Sequence, residues 1–212
     1  PGRSRRAVPY LYSDADVAAM LAQAARLRTP LRVATIQTLI GLLSVTGMRI
    51  GEVVALDDTD FDRAAAVLTV RHAKSGRQRL IPLHRSTVDA LAGYRLLRQS
   101  VFPRPVCDAL LLSSAGTRLT TIGAGAAFTK LARRAGLRPR SGACRPRPHD
   151  LRHSFAVTTL LGWYRDGGDV AARLPLLSTY LGHTEPANTY WYLSAAPELL
   201  AEAARRLSDT RR

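Results

Sequence analysis

His149, Arg152 and His153 stand at i, i+3 and i+4 in Pro148-His149-Asp150-Leu151-Arg152-His153, a spacing that sets them on adjoining faces of one helix start. An imidazole and a guanidinium placed there can hold one anion together, aided by the positive end of the helix macrodipole. Downstream, Tyr180-Leu181-Gly182-His183 closes on a third imidazole, and Thr189-Tyr190-Trp191-Tyr192 supplies two phenols. A phenol with a pKa of about 10 attacks phosphorus only after its proton is drawn off or its phenolate is stabilised. Arginines and histidines can do both, so the chemistry suggested is nucleophilic attack on a phosphate. Plainer meanings compete: a surface helix start with polar caps, a helix-terminal histidine at His183, and core aromatics at Tyr190 and Tyr192. Zinc is a further rival for the His149/His153 pair. No acid follows in the metalloprotease order, however, and Arg152 between the histidines would repel a metal.

Composition supplies a partner for such a site. The 212 residues carry 31 Lys+Arg against 16 Asp+Glu, a net charge of +15. That balance favours nucleic acid, because neutralised phosphates release condensed counterions. Nearly all of the positive charge is arginine; Lys74 and Lys130 are the only lysines. No apolar run of about 18 residues marks a membrane span, and no signal peptide is recognisable. Cys107 and Cys144 fit no metal-ligand spacing and give little basis for a disulfide framework. A reduced, cytoplasmic protein without metal or other cofactor is expected.

Several elements must position these side chains. Residues 1–12, with Arg3, Arg5 and Arg6, read as a basic arm or linker; a start at Pro1-Gly2-Arg3 reads as part of something longer. Ser13 and Asp16 form a capping-box pattern, predicting a helix to about Leu27. Pro30 opens a second helix whose Val33, Ile36, Leu39, Ile40 and Leu43 face a core. Thr46-Gly47 breaks it, and Met48–Ala55 begins another helix, with Arg49 and Glu52 close enough to interact. Ala66–Val70 and Gln78–Leu83 read as strands of a hairpin with Lys74-Ser75-Gly76 at its tip. Helices follow over Arg85–Ser100 and Thr121–Ala135, with a short buried strand at Leu110–Ser113 between them. Arg138–Pro148 reads as a basic, proline-rich loop. Helices are then expected over Asp150–Tyr164, Val170–Leu181 (ending at Gly182) and Pro197–Leu207.

Four blocks, in this order, resemble the catalytic domain of the tyrosine recombinases, the phage-type and Xer-type integrases. They are Thr46-Gly47-Met48-Arg49-Ile50-Gly51-Glu52, His72-Ala73-Lys74-Ser75-Gly76, His149-Asp150-Leu151-Arg152-His153, and Leu181-Gly182-His183 with Tyr192 nine residues on. The resemblance implies an α+β, mainly helical fold with a small antiparallel sheet, residues 13–212 forming the catalytic domain. It implies that Arg49 and Arg152 clamp the scissile phosphate, a task suited to a planar guanidinium that keeps its charge. Lys74 would protonate the leaving 5′ oxygen, His149 would assist proton transfer, and His183 would bond the phosphate. Tyr192 would be the nucleophile; Tyr190 competes, but the family spacing selects Tyr192. Glu52 and Asp150 would orient the arginines or histidines, with His153 packing behind Arg152.

The implied reaction is metal-independent cleavage and rejoining of double-stranded DNA through a 3′-phosphotyrosyl intermediate. The implied partners are double-stranded DNA and, on it, three further copies, with a monomer possible in isolation. A bacterial, phage or mobile-element source fits. Two departures stand out. The family's separate N-terminal helical domain has no counterpart in these residues, and Gly162–Pro175 is longer than the usual turn. A type IB topoisomerase-like activity and a non-catalytic DNA-binding module are the alternative functions.

Overall fold

The computed structural model describes residues 8–71 and 78–182. Its first helix, α1 (Asp14–Ala24), starts on the expected capping box, with Ser13 and Asp16 bonded to each other's backbone amides at 3.1 and 3.0 Å. It ends a turn before Leu27, where the Arg26 and Leu27 amides fall back on Gln23 and Ala24 as the chain approaches Pro30.

Helix α2 (Pro30–Thr46) is the centre of the molecule. Thr29 caps it, Pro30 occupies the first turn, and Leu31, Ile36, Leu39, Ile40, Leu42 and Leu43 are all buried. A helix apolar on most of its faces must be enclosed, and α1, α3, α4, α5 and α6 all pack against it. It stops at Gly47, whose φ of +61° is left-handed. Added bulk would not fit there: a Cβ would lie 2.6 Å from Phe155 Cδ1. Helix α3 (Ile50–Ala55) follows, with Arg49 at its N-cap.

A three-stranded antiparallel sheet comes next: β1 (Phe61–Asp62), β2 (Val67–Val70) and β3 (Arg79–Pro82), in that order. Phe61 pairs with Leu68, Leu68 with Ile81, and Val70 with Arg79. Only the β2–β3 hairpin of this sheet was expected; β1 is only two residues long and carries no periodic signal. Helices α4 (Arg85–Val101) and α5 (Thr121–Arg134) match the expected spans closely. Leu110–Ser113, expected as a strand, is not part of the sheet. Leu110, Leu111 and Leu112 are buried, as the apolar run implies, but single bridges (Asp57 with Ala109, Leu112 with Arg118) and the Tyr94 hydroxyl satisfy the segment instead.

The loop into α6 (Pro148–Arg165) packs against residues 8–12. Tyr10 and Tyr12 are buried, the Tyr12 amide donates to Ser154 Oγ at 2.7 Å, and the Tyr12 hydroxyl donates to the Arg147 carbonyl at 3.1 Å. A turn at Asp166-Gly167 leads to α7 (Val170–Leu181), so most of Gly162–Pro175 is helix rather than extended loop. Asp169 caps α7 and Gly182, at φ +68°, ends it where expected. A second apolar cluster, including Ala156, Leu160, Leu174 and Leu181, joins α6 to α7. The fold is thus mainly helical with a small antiparallel sheet.

Candidate active site

The C-terminal ends of α2 and α7 meet the starts of α3 and α6, and the described members of the expected site lie at that junction. Arg152 belongs to the second turn of α6 and is 1% exposed. Its Nη1 donates to the Gly47 carbonyl at 2.9 Å and its Nη2 to the Leu181 carbonyl at 2.6 Å. The tight left-handed Gly47 turn therefore has two effects. It lets Phe155 and Leu181 pack against the backbone, and it presents an oxygen to the guanidinium.

Arg49, two residues on, sits at the lip of the junction. Its amide donates to Glu52 Oε2 and its Nη1 to Glu52 Oε1, both at 2.9 Å. Glu52 is 5% exposed. Burial alone would raise its carboxyl, but hydrogen bonds from Arg79 and the Arg49 amide, with both guanidinium charges, hold it below the usual range. The expectation that Glu52 orients a site arginine matches this geometry. Asp150 does not behave alike: it is fully buried, and both of its oxygens are taken by Arg147, at 2.8 and 3.0 Å.

His149 lies in the first turn of α6, with part of its surface open to solvent. The protein packed around its ring, then the charges of Arg152, Arg49 and Arg147, push its pKa below 6.5, with Asp150 opposing. It therefore lies within electrostatic reach of both expected clamp arginines, whose charges favour its neutral form. The His153 ring packs edge-on against His149, 4.7 Å between centroids. Tyr180 on α7 stacks on Phe155, and burial pushes its phenol up to about 12 despite the opposing charges of Arg79 and Arg152. That leaves Tyr180 poorly suited to nucleophilic work.

Lys74, His183 and Tyr192, with Tyr190 and the Pro197–Leu207 helix, fall outside the described residues. Among the described residues no group of three or more His, Cys, Asp and Glu could hold a metal ion. Among the described residues no helix is long and apolar enough to cross a membrane.

One participant escaped the sequence reading. Arg79 forms a two-pronged pair with Glu52, Nη2 to Oε2 at 2.7 Å and Nη1 to Oε1 at 3.2 Å. The signal was its phase in β3: it shares a face with the buried Ile81 while Leu80 between them is exposed, and an inward-facing arginine needs an acid.

The chain matches the model of the phage integrase family over residues 12–198. It is 44% identical over 215 residues to the integrase/recombinase-type protein y4rB of Sinorhizobium fredii, covering 98% of this chain and 68% of that protein. Tyrosine recombinase XerC of a Roseiflexus species is 34% identical over 194 residues, covering 88% and 56%. Among solved structures, XerA recombinase matches with a TM-score of 0.73 at 26% identity, covering 94% of this chain and 65% of that one. A lambda integrase tetramer bound to a Holliday junction shares the fold at a TM-score of 0.63 and 17% identity, covering 91% and 49%. This chain thus spans only part of the length of these relatives. From the ordered motif blocks, the fold and these matches it follows that the chain belongs to the phage integrase family, the tyrosine recombinases.

Proposed function

We propose that this chain carries the catalytic steps of site-specific DNA recombination, with residues 13–212 as the catalytic domain. The observation that supports this most is the seating of two guanidinium groups at one helix junction, next to the start of α6 that carries His149. Arg49 is held by Glu52, Arg152 by two backbone carbonyls, and His149 feels both charges. Such a cluster is fixed before any substrate arrives, so stabilising a phosphoryl transition state costs little reorganisation.

In this reading Arg49, Arg152 and His183 bind the non-bridging oxygens of the scissile phosphate. The Tyr192 oxygen attacks phosphorus as His149, whose neutral form the neighbouring arginines favour, takes up the phenolic proton. The bond to the 5′ oxygen breaks, Lys74 protonates that oxygen, and a 3′-phosphotyrosyl ester remains. A 5′-hydroxyl from another strand reverses the steps. The ester conserves the bond energy, and the arginines take the electrostatic part that metals play elsewhere. The partner is double-stranded DNA, and a tetramer on it is the oligomer proposed, as in the lambda integrase tetramer bound to a Holliday junction. The relatives are named recombinases and integrases, which favours recombination over topoisomerase-like relaxation.

A nicked suicide duplex and a denaturing gel test the reading. A covalent adduct should form in the presence of chelator, survive Tyr190→Phe and vanish in Tyr192→Phe. An adduct that persists in Tyr192→Phe, or one that needs added Mg²⁺, would overturn it.

A further inference from the structure

Glu52 accepts four hydrogen bonds from two arginines. Oε1 takes Arg49 Nη1 at 2.9 Å and Arg79 Nη1 at 3.2 Å; Oε2 takes the Arg49 amide at 2.9 Å and Arg79 Nη2 at 2.7 Å. A carboxylate offers about four lone-pair directions, so this one is full. Arg79 holds both oxygens, while the Arg49 side chain holds one of them through Nη1 alone. Arginine and carboxylate prefer the two-pronged arrangement when nothing prevents it, and here Arg79 prevents it for Arg49. The remaining guanidinium donors of Arg49, whose side chain is 28% exposed, are thereby kept for another anion.

Arg79 is itself confined. It is the first residue of β3, its side chain is 10% exposed, and it is the residue with which β3 pairs to Val70. On its far side lies Gly182, where a Cβ would come within 3.1 Å of Arg79 Nη1. The guanidinium is wedged between the acid of α3 and the end of α7, so it cannot drift from Glu52.

We propose that Arg79 is a positioning residue: by filling Glu52 it stops Arg49 collapsing onto that carboxylate and so keeps Arg49 aimed at the scissile phosphate. This rests on the recombinase reading for its substrate, but the geometric claim stands apart from it. Without Arg79, Arg49 would turn both terminal nitrogens to Glu52 and withdraw from the phosphate, a displacement of about 1 Å, enough to cost on the order of 100-fold in rate.

Arg79→Met, with Arg79→Lys as the variant more certain to fold, decides the matter when each is checked by thermal melting. Arg79→Met should slow single-turnover adduct formation on the suicide duplex by about 10- to 100-fold at saturating DNA, with DNA affinity little changed. Arg79→Lys should recover the rate only in part, because a single ammonium cannot hold both oxygens. Nitrogen-15 NMR of the Arg49 guanidinium in the DNA-free protein should show slower side-chain rotation in Arg79→Met as the pair becomes two-pronged. A folded Arg79→Met or Arg79→Lys with the wild-type rate and an unchanged Arg49 signal would overturn the proposal, as would a loss confined to DNA affinity. If the wild-type protein forms no adduct, the recombinase reading fails, and the Arg49 signal still judges the role of Arg79.

Discussion

The two ends of α2 are both rich in cations, yet they are built on opposite terms. At the C-terminal end Arg49, Arg79 and Arg152 are each tied down, by Glu52 or by backbone carbonyls. At the N-terminal end, about 25 Å away along the helix, Arg26, Arg28, Arg32, Lys130 and Arg134 line a cleft of about 700 Å³ with no acid in it. All five are exposed, and among the described residues none enters an ion pair. The second end has more cations and no acid to hold them. Positive charge alone attracts a polyanion at long range; placing it to within an ångström takes an acid or a carbonyl that commits each guanidinium to one geometry.

The sharpest way to break that contrast is to neutralise the acid. Glu52→Gln leaves Arg79 buried without its counter-charge, and removing one partner of a buried pair costs about 3–5 kcal/mol. Chemical denaturation should show that loss, with adduct formation falling as Arg49 is released. The acid dependence follows from sign. The folded-state pKa lies below the ordinary 4.5, so the stabilisation is present above 4.5 and is lost as pH falls through the depressed value. Glu52→Gln should lack that part of the acid-induced loss.

A smaller effect tests whether the arginines really surround His149. Its pKa is lowered from 6.5, so its neutral form stabilises the fold above 6.5, and that contribution fades as pH falls through the lower folded value. NMR titration should place His149 below 6.5, and Arg49→Gln should move it back up. An unshifted value in the wild type would show that the ring is less crowded and less surrounded by charge than the structure implies.

Least of all should happen at the other end. Arg28→Ser and Arg32→Ser, measured by thermal melting, should each change stability by no more than about 0.5 kcal/mol. They should leave the adduct rate at saturating DNA unchanged, with any effect confined to the salt dependence of binding. A rate loss matching that of Glu52→Gln would erase the distinction between the two ends.

Much of the scaffold was legible because local chemistry marks its boundaries. Ser13 with Asp16, Thr46-Gly47 and Gly182 each carry their stop or start in a few adjacent residues, and α2 announces its burial by apolar side chains on most faces. Leu110–Ser113 misled because an apolar run reports burial, not the identity of the partner; the Tyr94 hydroxyl and single bridges meet its needs. At the site, Arg49 and Glu52 were readable as neighbours on one helix. Their third member was not, since Arg79 lies 27 residues from Glu52 and the contact exists only after the sheet has formed. Asp150 shows the converse: its residue type suggested support for the site, and its nearest guanidinium is Arg147.

The carbonyls that hold Arg152 come from the C-terminal ends of two helices, α2 at Gly47 and α7 at Leu181. Each such end carries roughly half a negative charge from its aligned peptide groups. Together they face the guanidinium with a counter-charge made of backbone. Peptide dipoles do not titrate, so acid that protonates Glu52 and loosens Arg49 leaves this seat intact. Arg49 and Arg152 thus differ in kind, one on a mounting that pH can release and one on a mounting that does not titrate.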